Sequence, residues 1–193
     1  MVRIVLIRPG ATDYDQQGRI QGVLDVPLCD AGAHEASRIS GELQSLGVEV
    51  IYTSVCERAV QTASAVAASL GIKVKRMENM RNLDHGLWQG MLIEDVKRKQ
   101  PKVYRQWQEQ PDSICPPDGE MLGQARERVR ATMARLLKKH KSGVVALVVP
   151  EPLASLVREH LDLGDLGDLW RAGKEHGTWE IINFESRPVA RSG

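Results

Sequence analysis

The side chains able to do nucleophilic, acid–base or metal chemistry are five histidines (His34, His85, His140, His160, His176) and three cysteines (Cys29, Cys56, Cys115). The cysteines are widely spaced and form no CxxC pair, which reads as reduced thiols rather than a zinc site or a disulfide. His140 sits in Lys138-Lys139-His140-Lys141, a run of cations suited to a helix C-terminus, and His34 and His160 fall on helix faces as structural residues. Asp13, Asp15, Asp25 and Asp30 do not keep the spacing of a calcium loop and read as solvated turn residues. There is no Walker loop, no GxGxxG after the first apolar run and no HExxH, so no cofactor and no metal are expected. Arg8 closes the first apolar run and is followed by Pro9-Gly10-Ala11-Thr12. A planar guanidinium suits bidentate phosphate binding. The proline beside it carries no basic or nucleophilic atom.

The elements that must position these residues read as an α/β alternation. Val2–Ile7 and Gly143–Val149 are nearly continuous apolar runs, as expected of strands buried on both faces. Helices are predicted from Asp30 to about Leu46, from a cap at or near Ser54 to about Leu70, from about Glu120 to His140, and from about Leu153 to Leu161. Short strands are predicted at Val48–Thr53 and Ile72–Lys75, with a last strand at Thr178–Phe184. The stretch from about 77 to 119 is the least regular, holding Pro101, Pro111, Pro116 and Pro117, and is read as a lid with two short helices and with Trp88, Tyr104 and Trp107 on it. The polar segment Lys97 to Gln110 reads as a solvated amphipathic helix covering a pocket.

A chain of 193 residues is enough for one domain with a full core, and 1–193 is taken as a single unit. A net charge of +1 supplies no global field for nucleic acid or a membrane surface. No apolar stretch approaches the roughly 20 residues that span a bilayer, and the N-terminus does not read as a signal peptide, so a cytoplasmic location is expected.

Further blocks join Arg8-Pro9-Gly10-Ala11-Thr12. They are Gly18-Arg19-Ile20-Gln21-Gly22 with Asp25-Val26-Pro27-Leu28 and Gly32, and Ile51-Tyr52-Thr53-Ser54 with Arg58, Thr62 and Ala63. Met80-Arg81-Asn82-Leu83-Asp84-His85-Gly86 follows with Trp88, Gln89 and Gly90, then Pro117-Asp118-Gly119-Glu120 with Arg128, and Val148-Val149-Pro150-Glu151. In this order, over almost the whole chain, they resemble the histidine phosphatase (phosphoglycerate mutase-like) superfamily. The resemblance implies a three-layer α/β/α sandwich of the phosphoglycerate mutase-like type. It also implies a reaction in which a neutral imidazole attacks phosphorus and two arginines and a second histidine neutralise the phosphoryl oxygens. A glutamate then protonates the leaving alcohol. On this chain it places Arg8 and Arg58 as the phosphate-binding arginines, Pro9 at the nucleophile position, Asn82 at the acid position and Glu151 at the second histidine. Gly10, Thr12, Asp15, Gln21, Gly22, His85 and His176 are expected to line the pocket.

An asparagine has no transferable proton at neutral pH. A carboxylate about 4 Å from a phosphate oxygen repels it by roughly 4 kcal/mol at an effective dielectric near 20. Glu151 is therefore expected to take the place of the phosphate and pair with Arg8, Arg58 or both. The leading expectation is a catalytically degenerate member of the family with a binding or scaffold role, retaining recognition of a phosphorylated or other anionic small molecule. The alternative is a phosphomonoesterase or phosphoglycerate mutase-like enzyme that uses Glu151 or a relocated histidine, His85 or His176, as an altered nucleophile. A protein partner or homodimer stays open; nucleic acid and membrane are not expected as partners.

Overall fold

Three largely apolar strands lie side by side at the centre of the protein, and their packing explains why all but their exposed Arg3 and Glu49 are buried or nearly so. The computed structural model describes residues 1–161 and 163–184. In chain order the elements are β1 (Val2–Ile7), α1 (Asp13–Gln17), α2 (Asp30–Glu42), β2 (Val48–Thr53), α3 (Glu57–Leu70) and β3 (Val74–Arg76). They continue with α4 (Ile93–Lys99), α5 (Pro101–Glu109), α6 (Leu122–Lys139), β4 (Gly143–Val148), α7 (Leu153–His160), α8 (Leu169–Ala172) and β5 (Trp179–Phe184). The sheet order is β3-β2-β4-β1-β5, parallel except for β5, which runs antiparallel to β1.

Side chains on a strand alternate between the two faces of the sheet. Val5, Ile7, Ala146 and Val148 point to one face, where Ile39 and Leu43 meet Ala59, Ala63 and Val66 of α3. Ile4, Leu6, Val145 and Leu147 point to the other, against α6, α7 and the segment carrying Trp88 and Trp107. The result is an α/β/α sandwich in three layers. A register shift between Val48 and Val50 puts these two residues, which share a parity, into opposite cores. No helix among the described residues is long and apolar enough to cross a membrane.

Several boundaries differ from those expected. Helix α3 begins at Glu57, because Ser54 is buried and its backbone N–H donates to Val148 O of β4. Strand β3 begins at Val74, because the Ile72 N–H still closes the end of α3 on Ala67 O. The first long helix stops at Glu42 and ends in a short 3-10 turn, Gln44–Leu46. Helices α1 and α8, of 5 and 4 residues, are too short for periodicity to reveal.

Candidate functional site

The carboxyl ends of β2, β4 and β1 are adjacent, and clefts in α/β sheets form at such ends. Arg8 and Pro9 follow β1, Pro150 and Glu151 follow β4, and Arg58 lies in the first turn of α3 behind β2. The loop after β1 is seated tightly: a Cβ on Gly10 would stand 2.2 Å from Gly32 O, so only glycine lets α2 approach. Gly10 N–H donates to Thr62 Oγ1 at 3.1 Å.

Arg8 and Glu151 form a buried pair. Arg8 Nε donates to Glu151 Oε1 at 2.7 Å, with the two side chains 8% and 2% exposed. Glu175 lies 3.2 Å from the same Nε, and Arg8 Nη1 donates to Glu180 Oε1 at 3.1 Å. The second oxygen of Glu151 accepts from the Ser155 N–H at 3.1 Å and from Ser155 Oγ at 2.7 Å. Burial works against the charge on Arg8, but Glu151, Glu180 and Glu175 outweigh it and raise its pKa. Burial pushes the Glu151 carboxyl up from its ordinary value; Arg8 and Ser155 pull it back only in part. The expected Arg–Glu pair is therefore made with Arg8. Arg58, also buried, makes no ion pair or side-chain hydrogen bond among the described residues.

Arg58 lines a cleft of about 50 Å³ together with Glu151, Asn82, Gln21, Gly22, His85, Trp107 and Trp170. Arg58 also lines a smaller recess, of about 10 Å³, with Pro9, Gly10, Asp15, Glu151 and His176. Thr12 lines neither. It is fully buried and caps α1, its Oγ1 accepting from the Asp15 N–H while Asp15 Oδ2 accepts from the Thr12 N–H. Asn82 Nδ2 donates to Gly22 O at 3.0 Å. His85 stacks on Trp88 and meets the edge of Trp107, and burial lowers its pKa to about 4, so it is neutral at physiological pH. His176 Nδ1 lies 3.0 Å from both Glu35 oxygens, and Glu35 in turn accepts from the Ala11 N–H. Among the described residues no group of three or more His, Cys, Asp or Glu side chains could hold a metal ion.

Glu35, Glu175, Glu180 and Trp170 were not expected at the site. Glu180 lies within the strand expected at Thr178–Phe184 and Glu175 just before it, but nothing in their pattern marks either as a partner of Arg8; the one signal for them is that burial of an arginine favours nearby anions.

The sequence profile of the histidine phosphatase superfamily (branch 1) matches residues 4–190. The chain belongs to the histidine phosphatase superfamily. Relatives of this superfamily chain include phosphoserine phosphatase 1 of Hydrogenobacter thermophilus, 30% identical over 97% of this chain and 89% of that protein. Phosphoglycerate mutase-like protein 4 of Arabidopsis thaliana is 30% identical over 75% of this chain and 64% of that protein. Other curated relatives are longer, and the chain spans about half their length. In fold it is similar to mycobacterial glucosyl-3-phosphoglycerate phosphatase, with a TM-score of 0.81 at 24% identity over 94% of this chain and 92% of that one. Within this histidine phosphatase fold, the three positions that the resemblance singled out hold a side chain without a nucleophilic atom (Pro9), an amide (Asn82) and a carboxylate already bound to an arginine (Glu151).

Proposed function

We propose that this chain is a catalytically degenerate histidine phosphatase, a protein that keeps the fold and an anion-binding cleft but does not transfer phosphoryl groups. The observation that carries this reading is the Arg8–Glu151 pair at 2.7 Å. An internal carboxylate occupies one guanidinium that would otherwise neutralise a phosphoryl group, and two more carboxylates stand beside it. Arg58, facing the cleft without a carboxylate partner among the described residues, remains to bind an anionic or phosphorylated small molecule.

One observation favours a second reading. Glu35 holds His176 by Nδ1 beside the recess that Arg58 shares, the arrangement by which a carboxylate fixes the tautomer of a catalytic imidazole. The two readings separate in an assay of phosphate release from an aryl phosphate and a panel of phosphorylated metabolites between pH 4 and 9. The native protein is run beside Pro9→His/Asn82→Glu/Glu151→His. The degenerate reading expects a silent native protein and an active triple variant. Native turnover that disappears in His176→Asn or Glu151→Gln overturns it.

A further inference from the structure

The face of the sheet covered by α6 holds a second hollow, away from the cleft. Between α6 and the turn after β3 lies a groove of about 260 Å³, and none of its lining residues lines the cleft. Its floor is apolar, made by Tyr52 of β2, Leu136 of α6 and the half-buried Met77, all packed in or against the main core. The Tyr52 hydroxyl is already engaged by His140 Nε2 at 2.9 Å. The tyrosine therefore has its ring, not a free hydroxyl, to offer a ligand.

The rim is basic. Arg135 and Lys139 stand one helical turn apart on α6, and both line the groove. Lys139 Nζ lies 5.9 Å and Lys75 Nζ 5.7 Å from the centre of the Tyr52 ring, so two ammonium groups flank one aromatic side chain. None of these three cations has a carboxylate partner among the described residues. Arg135 only reaches Thr132 Oγ1, at 3.5 Å. Glu78 is the one carboxylate among the lining residues, leaving the groove with an excess of positive charge. That excess is felt by its neighbour: after burial, Lys139 and Lys75 lower the pKa of His140, and Glu49 opposes them only in part.

Surface cations by themselves need no partner, since water solvates them. The concave apolar floor between these cations is what selects a ligand. An inorganic anion would gain nothing from the floor, and a neutral apolar molecule nothing from the rim. We propose that this groove is a binding site separate from the cleft, for a compact organic anion with an apolar body and one carboxylate or phosphate group. The body lies on Tyr52, Met77 and Leu136, and the acid group between Arg135 and Lys139. Carboxylate and phosphate share this chemistry, and the test separates them.

Amide NMR spectra of the full chain would be titrated with phenylacetate, benzyl phosphate, 2-phenylethanol and acetate. At least one of the two aryl anions should shift residues 77–79 and 132–139 saturably, with a Kd on the order of 1 mM; the tighter of the two identifies the acid group. 2-Phenylethanol lacks the charge and should bind about fivefold more weakly, and acetate lacks the body and should bind about tenfold more weakly. Arg135→Gln/Lys139→Gln changes two exposed side chains, so the fold should survive, and it should weaken the aryl anion about fivefold. Glu78→Gln should tighten it about twofold. No saturable shift, shifts confined to Gln21, Arg58 and Asn82 of the cleft, or equal binding of anion and alcohol would each overturn the proposal. So would a dimer, seen by sedimentation, that dissociates in Met77→Glu, because a second copy of the chain would then occupy the groove.

Discussion

Glu151 and Arg8 act on each other through burial. Each is removed from water, and each relies on the other to offset that loss. Replacing one member of a buried pair costs about 3–5 kcal/mol, because the remaining charge is left without compensation. Arg8→Met should destabilise the fold by an amount of this order, measured by urea denaturation at pH 8. The pH dependence follows from the direction of the Glu151 shift. Its carboxyl is already raised by burial in the native protein, and Arg8 is the main group pulling it down. Without Arg8 it rises further, so the folded state favours the protonated form more strongly. A raised folded-state pKa contributes stability at low pH that is lost as pH rises through that pKa. The gap between native and Arg8→Met should therefore narrow as pH falls from 8 to 5. A gap that stays constant with pH would mean that Glu151 is not the source of the loss.

At the level of elements, α6 determines where Asn82 stands. Arg128, on the first half of that helix, donates from Nε and Nη2 to the two Glu120 oxygens at 2.8 and 2.9 Å. It also donates to the backbone carbonyls of Asn79, Arg81 and Asn82 at 2.9, 2.6 and 3.1 Å. One guanidinium thus fastens the loop carrying Asn82 to a helix packed on the sheet. A lysine has a single nitrogen and cannot reproduce the fork. Arg128→Lys should cost about 2 kcal/mol by thermal melting and should loosen the loop that carries Asn82, seen as faster amide hydrogen exchange at residues 79–82. Arg128 was visible in the sequence as part of a motif, whereas its task was not, because its partners are backbone carbonyls that no residue pattern encodes. The same contrast holds along the chain. The strands β1, β2 and β4 and the helices α2, α3, α6 and α7 could be read because burial on one or both faces imposes apolar runs and helical spacing. The starts of α3 and β3 could not, since they depend on where the Ser54 and Ile72 N–H groups find acceptors. At the site, Glu151 opposite an arginine was legible because both follow strand ends that the fold brings together. Glu175 and Glu180 were not, because they reach Arg8 from the last strand and the turn before it.

Across the whole molecule, that last segment ties the site to the edge of the sheet. Arg8 N–H donates to Thr178 O, Gly177 N–H donates to Pro9 O, and β5 pairs with the full length of β1. Glu180 also binds Arg158 of α7, so its position is fixed from two sides. Placing histidines at positions 9 and 151 and a glutamate at 82 therefore does not fully release Arg8, because Glu175 and Glu180 still hold it. Glu175 is half exposed, and solvent screens its charge, leaving about 1 kcal/mol of interference with a phosphoryl group on Arg8. Adding Glu175→Gln to Pro9→His/Asn82→Glu/Glu151→His should accordingly raise kcat/KM for an aryl phosphate by about fivefold to tenfold. The gain should shrink as salt rises from 0.05 to 0.5 M, because screening weakens the same interaction in the parent variant. An increase independent of salt would assign the effect to space rather than charge. No increase would show that Glu180, built into the strand, is the carboxylate that keeps Arg8 from phosphate.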